Sequence, residues 1–302
     1  MGMFGFPESM VITSEGKIMS SNLIMGMVFG YSIEKIKPFI LSLRQHYQDD
    51  ILFITDNVTP EQQAFFDEYS VYTVIPDTPL LRRTCQVERY KIYLECVTEY
   101  FSECKNILIA DVRDIVFQSD PFAEYPKHAL EFFAEPELFK HCTHNAPWFA
   151  NIYGNDRLTE ILDQYVICSG TTMGTRSGMI QYLQAMVSEV ARLASSGREL
   201  IGGEDQPVHN HLVYNNQFSD YSINQNGVGP ISTMHHAKVL SFNRAGYLLN
   251  DDSTVIPVVH QYDRCGPMSV VFLKNALGVH GKSGILESAT YASNNFPEHD
   301  LG

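Results

Sequence analysis

Long apolar runs are missing from this chain. Nowhere do eighteen apolar residues follow one another, which excludes a membrane-spanning helix. A basic segment leading into an apolar stretch is missing from the N-terminus, so no secretory signal is visible and a cytoplasmic location is expected. Met1-Gly2 opens a myristoylation-like string, but Phe6 stands where that pattern needs Ser or Thr. Basic residues are scarce: 21 Lys and Arg against 35 Asp and Glu leave a net charge of −14 and a pI near 5.1. A chain of that sign is not built to coat nucleic acid or anionic lipid, although a local basic pocket for phosphate is compatible with it. The six cysteines (Cys85, Cys96, Cys104, Cys142, Cys168 and Cys265) form no C-x-x-C pair. Reduced, partly buried thiols are the expectation for such a set. Internal repeats, heptads and low-complexity tracts are also absent.

What is present is an ordinary globular composition: 302 residues, 44% hydrophobic and 19% charged. That is enough chain for one large domain or two small ones. Residues 1–20 show no clear period and read as a loose arm. Leu23–Phe29 reads as a buried strand ending in Gly30-Tyr31-Ser32. The spacing of Ile36, Phe39, Ile40 and Leu43 predicts a helix after it. Ile51–Thr55 and Val71–Ile75 are further strands. Between them Thr59-Pro60-Glu61-Gln62 has the form of a capping box with Pro at the first helical position. Val87, Tyr90, Leu94, Val97, Phe101 and Cys104 mark the clearest helix, with Arg89, Glu95 and Glu99 off its apolar stripe. Strand and helix thus alternate over the first 120 or so residues, as in a parallel sheet wound with helices. The second half is less regular. Strands are expected at Ala129–Ala134, at Tyr165–Cys168 (breaking into an open Ser169-Gly170-Thr171-Thr172 turn) and at Val255–Val259. Helices are expected from Ser177, on the stripe Met179, Leu183, Met186, Val190 and Leu193, and from Glu204-Asp205 onward. From Ser283 the chain is polar and is expected to fray as a flexible tail.

The most informative string is Ala110-Asp111-Val112-Arg113-Asp114. It follows the apolar strand Asn106–Ala110, so two carboxylates stand where a buried strand ends. In open α/β sheets that edge is where ligands bind. Asp111 and Asp114 are three residues apart, so on a turn their oxygens can converge on one point. Hard oxygens that converge suit Mg²⁺ or Mn²⁺, with a phosphate completing the shell. The plainer reading is a strand-to-turn junction with Asp caps and Arg113 in a surface ion pair.

Three other elements keep company with this string: the Ser169-Gly170 turn, the acidic pair Glu204-Asp205 opening a helix, and His260 closing a late strand. Together they resemble the GT-A-fold nucleotide-sugar glycosyltransferases, over roughly residues 22–265. Asp111-Val112-Arg113-Asp114 looks like a variant of their D-x-D motif, with Arg113 in place of the second Asp and Asp114 one residue later. Val166-Ile167-Cys168-Ser169-Gly170 is similar to the strand and small-residue turn that hold the donor sugar. Glu204-Asp205-Gln206-Pro207-Val208-His209-Asn210 resembles the D-Q-x-x-x-N helix start of several retaining families. Gly202-Gly203-Glu204-Asp205 also resembles the x-E-D motif of inverting enzymes. Val259-His260-Gln261-Tyr262 resembles the C-terminal histidine that completes the metal shell in some members.

The resemblance implies a single α/β domain of GT-A (Rossmann-like) fold over residues 21–282. Residues 21–125 would form the nucleotide-binding half and 126–282 a less regular donor-sugar and acceptor half. It also implies Mn²⁺ or Mg²⁺ held by Asp111, Asp114 and His260. The donor would be a nucleotide-diphosphate sugar of UDP or GDP type, and the acceptor a hydroxyl of a glycan or glycoconjugate. Phe29, Tyr31, Arg89, Asp111, Arg113, Ser169, Gly170 and Glu204 would contact substrate. Asp205 and Gln206 would be catalytic, with retention of configuration slightly ahead of inversion. Each residue taken singly has a plainer reading: Arg89 as a solvated helix residue, Glu204-Asp205 as acids favoured by a helix dipole, His260 as a core histidine, Phe29 and Tyr31 as core or rim. The pairs His209/His211, His235/His236 and His141/His144 lack Cys partners or an H-E-x-x-H frame and are read as incidental. A nucleotidyltransferase on a similar sheet would show a Gly-rich, Lys-bearing loop after the first strand, and Gly30-Tyr31-Ser32-Ile33 supplies none. A non-catalytic nucleotide-sugar-binding protein of the same fold stays open as the other alternative.

Overall fold

The computed structural model describes residues 11–12, 20–237, 239–278 and 291–292. In chain order the elements are β1 (Val11–Ile12), β2 (Asn22–Val28), α1 (Ile33–Arg44), β3 (Asp50–Thr55), α2 (Pro60–Glu68), β4 (Val71–Ile75), α3 (Cys85–Glu99), β5 (Asn106–Ala110), β6 (Ile115–Phe117), β7 (Leu130–Leu138), α4 (Asn145–Tyr153) and α5 (Asn155–Thr159). There follow β8 (Tyr165–Thr175), α6 (Arg176–Ser195), α7 (Asp205–Tyr214), β9 (Tyr221–Asn224), β10 (Ile231–Thr233), β11 (Val239–Phe242), β12 (Leu248–Leu249), β13 (Val258–His260), α8 (Met268–Ala276) and β14 (Tyr291–Ala292).

The main sheet has the order β1-β4-β3-β2-β5-β8-β7-β9. β2, β3, β4, β5, β7 and β9 run one way, and β1 and β8 run against them. The fold is therefore α/β with a mostly parallel central sheet, as the alternating pattern of the first half implies. Alternation along β2 explains why both faces are covered. Leu23 and Met25 join the core under α3, α6 and α7, whereas Ile24 joins the core under α1 and α2. The capping box at Thr59 forms as expected: Gln62 N–H donates to Thr59 Oγ1 at 3.2 Å, and Thr59 N–H to Gln62 Oε1 at 2.9 Å.

Several expectations need correcting. Ser169-Gly170 is not an open turn: β8 runs unbroken to Thr175. Thr171 lies opposite Ala110 and Thr172 opposite both Ile109 and Phe132; where the register against β7 shifts, Gln206 Oε1 accepts from Ser169 N–H and Gly170 O accepts from Asp111 N–H, so the backbone stays extended. The late strand covers only Val258–His260, because Pro257 precedes it and Val255 makes a single bridge to Leu249. β6, just after Asp114, has no period to announce it. It forms because β13 pairs with it in a separate three-stranded sheet, β10-β13-β6. Of the expected loose arm, Val11–Ile12 pairs with Val74–Ile75, and residues 1–10 and 13–19 lie outside the described residues. Of the expected tail, Tyr291–Ala292 pairs with Val239–Leu240, and the rest of 283–302 lies outside them as well. All six cysteines are buried and no disulfide joins them. Among the described residues no helix is long and apolar enough to cross a membrane.

One glycine sets how closely the sheet approaches the Asp111 turn. A Cβ on Gly26 of β2 would lie 2.3 Å from Val112 Cγ2 and 2.9 Å from Ala110 O. Both contacts involve the backbone or a buried branched side chain, which cannot swing away. Gly26→Ala is expected to destabilise the fold by about 1–3 kcal/mol, the range for overpacking a core. Urea unfolding checks it, and an unchanged midpoint would show that β2 and the turn move apart freely.

Candidate metal and phosphate site

Strand pairing, not sequence proximity, assembles the site. β13 pairs with β6 so that His260 lies opposite Ile115, the residue after Asp114. Asp111 N–H donates to Gly170 O at 2.8 Å, which seats the turn on β8. Ligand atoms of Asp111, Asp114 and His260 lie within 4.8 Å of one another. His260 Nε2 is 3.7 Å from Asp114 Oδ1 and 3.9 Å from Asp111 Oδ2. That nitrogen is buried with no hydrogen-bond partner, whereas Nδ1 faces Thr233 Oγ1 at 3.4 Å and Cys168 Sγ at 3.6 Å. Burial holds His260 below its ordinary pKa, with Asp114 and Asp111 opposing, so the neutral ring has a lone pair to offer. Burial also penalises the Asp114 charge, but His260, Arg113 and Arg264 outweigh it and keep that carboxyl below its usual range.

The donor set fits a divalent cation. Two hard oxygens and one imidazole nitrogen suit Mn²⁺ or Mg²⁺. An orphaned buried imidazole nitrogen aimed at two carboxylates is a costly arrangement unless something completes it. Gly170 supports the same reading from below. A Cβ there would meet Asp111 Oδ2 at 2.5 Å and His260 Cε1 at 2.9 Å, so the floor under the cluster is bare backbone. Asp114, not Arg113, supplies the second carboxylate. Arg113 donates to Asp114 Oδ2 at 3.0 Å and leaves Oδ1 to face His260.

Arg89 corrects its sequence reading most sharply. It is 5% exposed, not solvated. One guanidinium nitrogen donates to Asp111 Oδ1 at 2.8 Å and the other to Asp205 Oδ2 at 2.9 Å. Tyr90 O–H also donates to Asp205 Oδ2, at 3.1 Å. Burial pushes the Asp205 carboxyl up and Arg89 works against it. Gln206 is tied at both ends of its amide: Ser169 N–H donates to Oε1 at 2.7 Å, and Nε2 donates to Glu135 Oε1 at 3.0 Å. Glu204 accepts from Ile201 N–H at 2.7 Å and shapes the loop before α7. Asp205, Gln206, Arg89, Ser169 and Gly170 thus form one connected group with Asp111, Asp114 and His260.

Tyr31 belongs to the same neighbourhood. Its hydroxyl is raised by burial first and then by Asp111, with Asp114 adding and Arg113 and Arg89 opposing. The ring also lines a cleft at the carboxyl ends of β2 and β3, with Val28, Gly30, Asp56, Asn57 and Gln62. Phe29 is half-buried at the end of β2 and is not among the residues lining that cleft. His209 is a core histidine: burial holds it down to about 3, and Nδ1 meets Tyr182 Oη at 2.8 Å.

Two residues escaped the sequence reading. Arg264 lies 3.7 Å from Asp114 Oδ2, and a cation four residues past His260 was its only signal. Glu135 is a buried carboxylate in β7, 6% exposed, and burial raises it to about 7. A lone acid directly after Phe132-Phe133-Ala134 was the clue. Compared with models of known protein families the chain matches none, and no curated protein sequence matches it.

Two predictions follow from the buried charges. In Arg89→Leu, Asp205 stays buried without its partner, which is expected to cost about 3–5 kcal/mol in urea unfolding. Arg89→Leu/Asp205→Leu removes the stranded carboxylate and should recover most of that loss. A double variant no more stable than the single would show that the ion pair is not what holds α3 to α7. For Glu135 the sign runs toward acid. Between the ordinary carboxylate range and about 7 the folded chain keeps a proton that the unfolded chain releases, so stability falls as pH rises through that window. Glu135→Gln keeps an acceptor for Gln206 and removes the titration. It should gain roughly 3 kcal/mol on the native protein at pH 8 relative to pH 4. Equal pH dependence in both proteins would place the titration elsewhere.

Proposed function

We propose that this chain is a metal-assisted glycosyltransferase of GT-A type. It would move a sugar from a nucleotide-diphosphate donor of UDP or GDP type to a hydroxyl of a glycan or glycoconjugate. One observation carries the reading: the orphaned His260 Nε2 faces Asp111 and Asp114 above a side-chain-free Gly170, at the edge of the sheet where ligands of α/β proteins bind. Asp111, Asp114 and His260 would hold Mn²⁺ or Mg²⁺, which when bound would supply Lewis-acid neutralisation of the departing diphosphate. The cleft beside Tyr31 and Gly30 is the space available to the nucleoside, with Tyr31 between it and the triad.

The chain's own residues divide the remaining work. Arg113 is partly exposed and both it and Arg264 stand beside Asp114, where cations meet a diphosphate. The exposed side of Asp111 faces outward while Arg89 fixes its other oxygen. Ser169 and Gly170 present a flat strand against which a donor sugar can lie. Gln206 and Glu135 brace that strand from behind. Asp205 is buried and engaged by Arg89 and Tyr90, which favours a carboxylate that would stabilise developing positive charge over one that would take a proton from an acceptor. This supports retention over inversion.

The test begins with a scan of nucleotide-sugars for slow hydrolysis, with and without Mn²⁺. Turnover is expected with Mn²⁺ and lost in EDTA. Asp111→Asn should abolish it, and Gly170→Ala should weaken Mn²⁺-dependent nucleotide binding by roughly 10–100-fold through displacement of its ligands. NMR of the first-formed product reads the anomeric outcome. Full activity in chelator would overturn the metal assignment, and inversion would overturn the role given to Asp205.

A further inference from the structure

The sequence contains one tryptophan, and it stands at the rim of this site. Trp148 lies on α4 and is 38% exposed, the bulkiest side chain among the exposed hydrophobics of the described residues. One part of its indole rests on Gly203, two residues before Asp205. A Cβ on Gly203 would be 3.1 Å from Trp148 Cζ3 and 3.3 Å from Cη2, so the ring is backed by bare main chain. The Gly203 loop is itself pinned, with Gly202 N–H donating to Arg83 O at 2.8 Å. The His144 ring stands edge-on to the indole, centroids 6.4 Å apart at 64°.

On one side of Trp148, burial first and then His236, Arg264 and His144 hold the His235 imidazole below its ordinary pKa, and Arg264 stands beside Asp114. His236, next to His235, is held at φ +61 and faces Glu137 of β7 at 3.6 Å. Backbone strain of that kind in a residue other than glycine is found where the surrounding structure imposes it, often at ligand sites. On the other side the contacts run through Gly203, Glu204, Asp205 and Arg89 to Asp111. Trp148 is therefore tied to the triad through the α7 entrance and Arg89, and it offers a large aromatic face open to solvent.

We propose that the Trp148 indole, backed by Gly203, is the platform on which a pyranose ring of the acceptor stacks. The proposal rests on the transferase reading above and names the acceptor as a saccharide. The face of an aromatic ring carries negative potential and attracts the C–H face of a sugar, while the sugar's hydroxyls need polar partners at the ring's edge. His144, whose ring stands at the edge of the indole, is such a partner, able to donate or accept. An acyl chain or an apolar peptide would instead gain nothing from that imidazole and would cost its hydration.

The lone tryptophan makes its own reporter. The full chain is titrated with lactose, cellobiose, N-acetyllactosamine and methyl α-mannobioside while Trp148 emission is followed. Saturation-transfer NMR measures the same sugars, and calorimetry with UDP and GDP plus Mn²⁺ reports the nucleotide site separately. At least one sugar is expected to change the emission saturably. Trp148→Ala should weaken that sugar by about tenfold in the NMR measurement, and Trp148→Phe should retain most of the binding. Thermal unfolding of both variants serves as the folding control. If the nucleotide binds but no sugar shifts the emission, or Trp148→Ala binds sugar as well as the native protein, the platform is overturned while the transferase reading stands. A shift with a Ser/Thr-rich peptide and none with sugars overturns it in favour of a protein acceptor. Sugar binding through Trp148 without nucleotide binding upholds the platform and removes the transferase.

Discussion

The buried guanidinium of Arg89 is the interaction on which the site depends. It joins Asp111, at the end of β5, to Asp205, at the start of α7, two residues 94 positions apart in sequence. Both ion-pair distances are short, and Arg89 and Asp205 are almost wholly out of water. Such a pair is not an economical way to stabilise a fold, because desolvation offsets much of the attraction. It is an effective way to fix geometry, since either charge left alone would be strongly unfavourable. α3 therefore carries a tether that holds the Asp111 carboxylate and the α7 N-terminus in one register. Tyr90, the next residue on α3, reinforces it through its hydroxyl.

A second constraint comes from the absence of side chains. Gly170 lets β8 pass directly beneath Asp111 and His260, Gly26 lets Val112 sit against β2, and Gly203 lets the Trp148 ring rest on the α7 entrance. In each case a methyl group would occupy space that a functional side chain or its support now fills. The triad, the β8 strand beneath it and the Trp148 ring are thus set by close backbone approach as much as by attraction. Polar bracing then locks them: Gln206 spends both ends of its amide on Ser169 and Glu135, and Asn210 holds the neighbouring Ile167 from the same helix.

Much of the architecture was legible from periodicity. The spacing of Val87, Tyr90 and Val97 marks α3, and Thr59 with Gln62 forms the capping box of α2 as written. The pairing of Asp111 with Asp114 and the position of His260 at a strand end were also readable, since each is a local statement. Arg89 was named among the substrate contacts, but its burial between Asp111 and Asp205 was not readable. A helical wheel places it off the apolar stripe because it is charged, yet a charged residue is buried when partners from two other elements meet it. Glu135 escaped for a related reason: a carboxylate within an apolar strand looks like an outward-facing position until Gln206 of α7 is found donating to it on the buried face. Ser169-Gly170 was misread as a turn because small residues signal flexibility in isolation, whereas here the Gln206 amide and the Asp111 N–H satisfy an extended backbone.

By itself the sequence determined the alternation of strands and helices, the sheet's mostly parallel character, and the list of groups able to bind a cation and phosphate. Those properties follow from patterns a few residues long, which the chain carries whatever its surroundings. The tertiary structure alone decided which of those groups meet. It placed His260 beside Asp114 through the pairing of β13 with β6, and it chose Asp114 over Arg113 as the second carboxylate. It also turned Arg89 inward and brought Trp148 to the entrance of α7. These outcomes depend on contacts between segments far apart in the chain, and the free energy that selects them exists only once the core has closed around them.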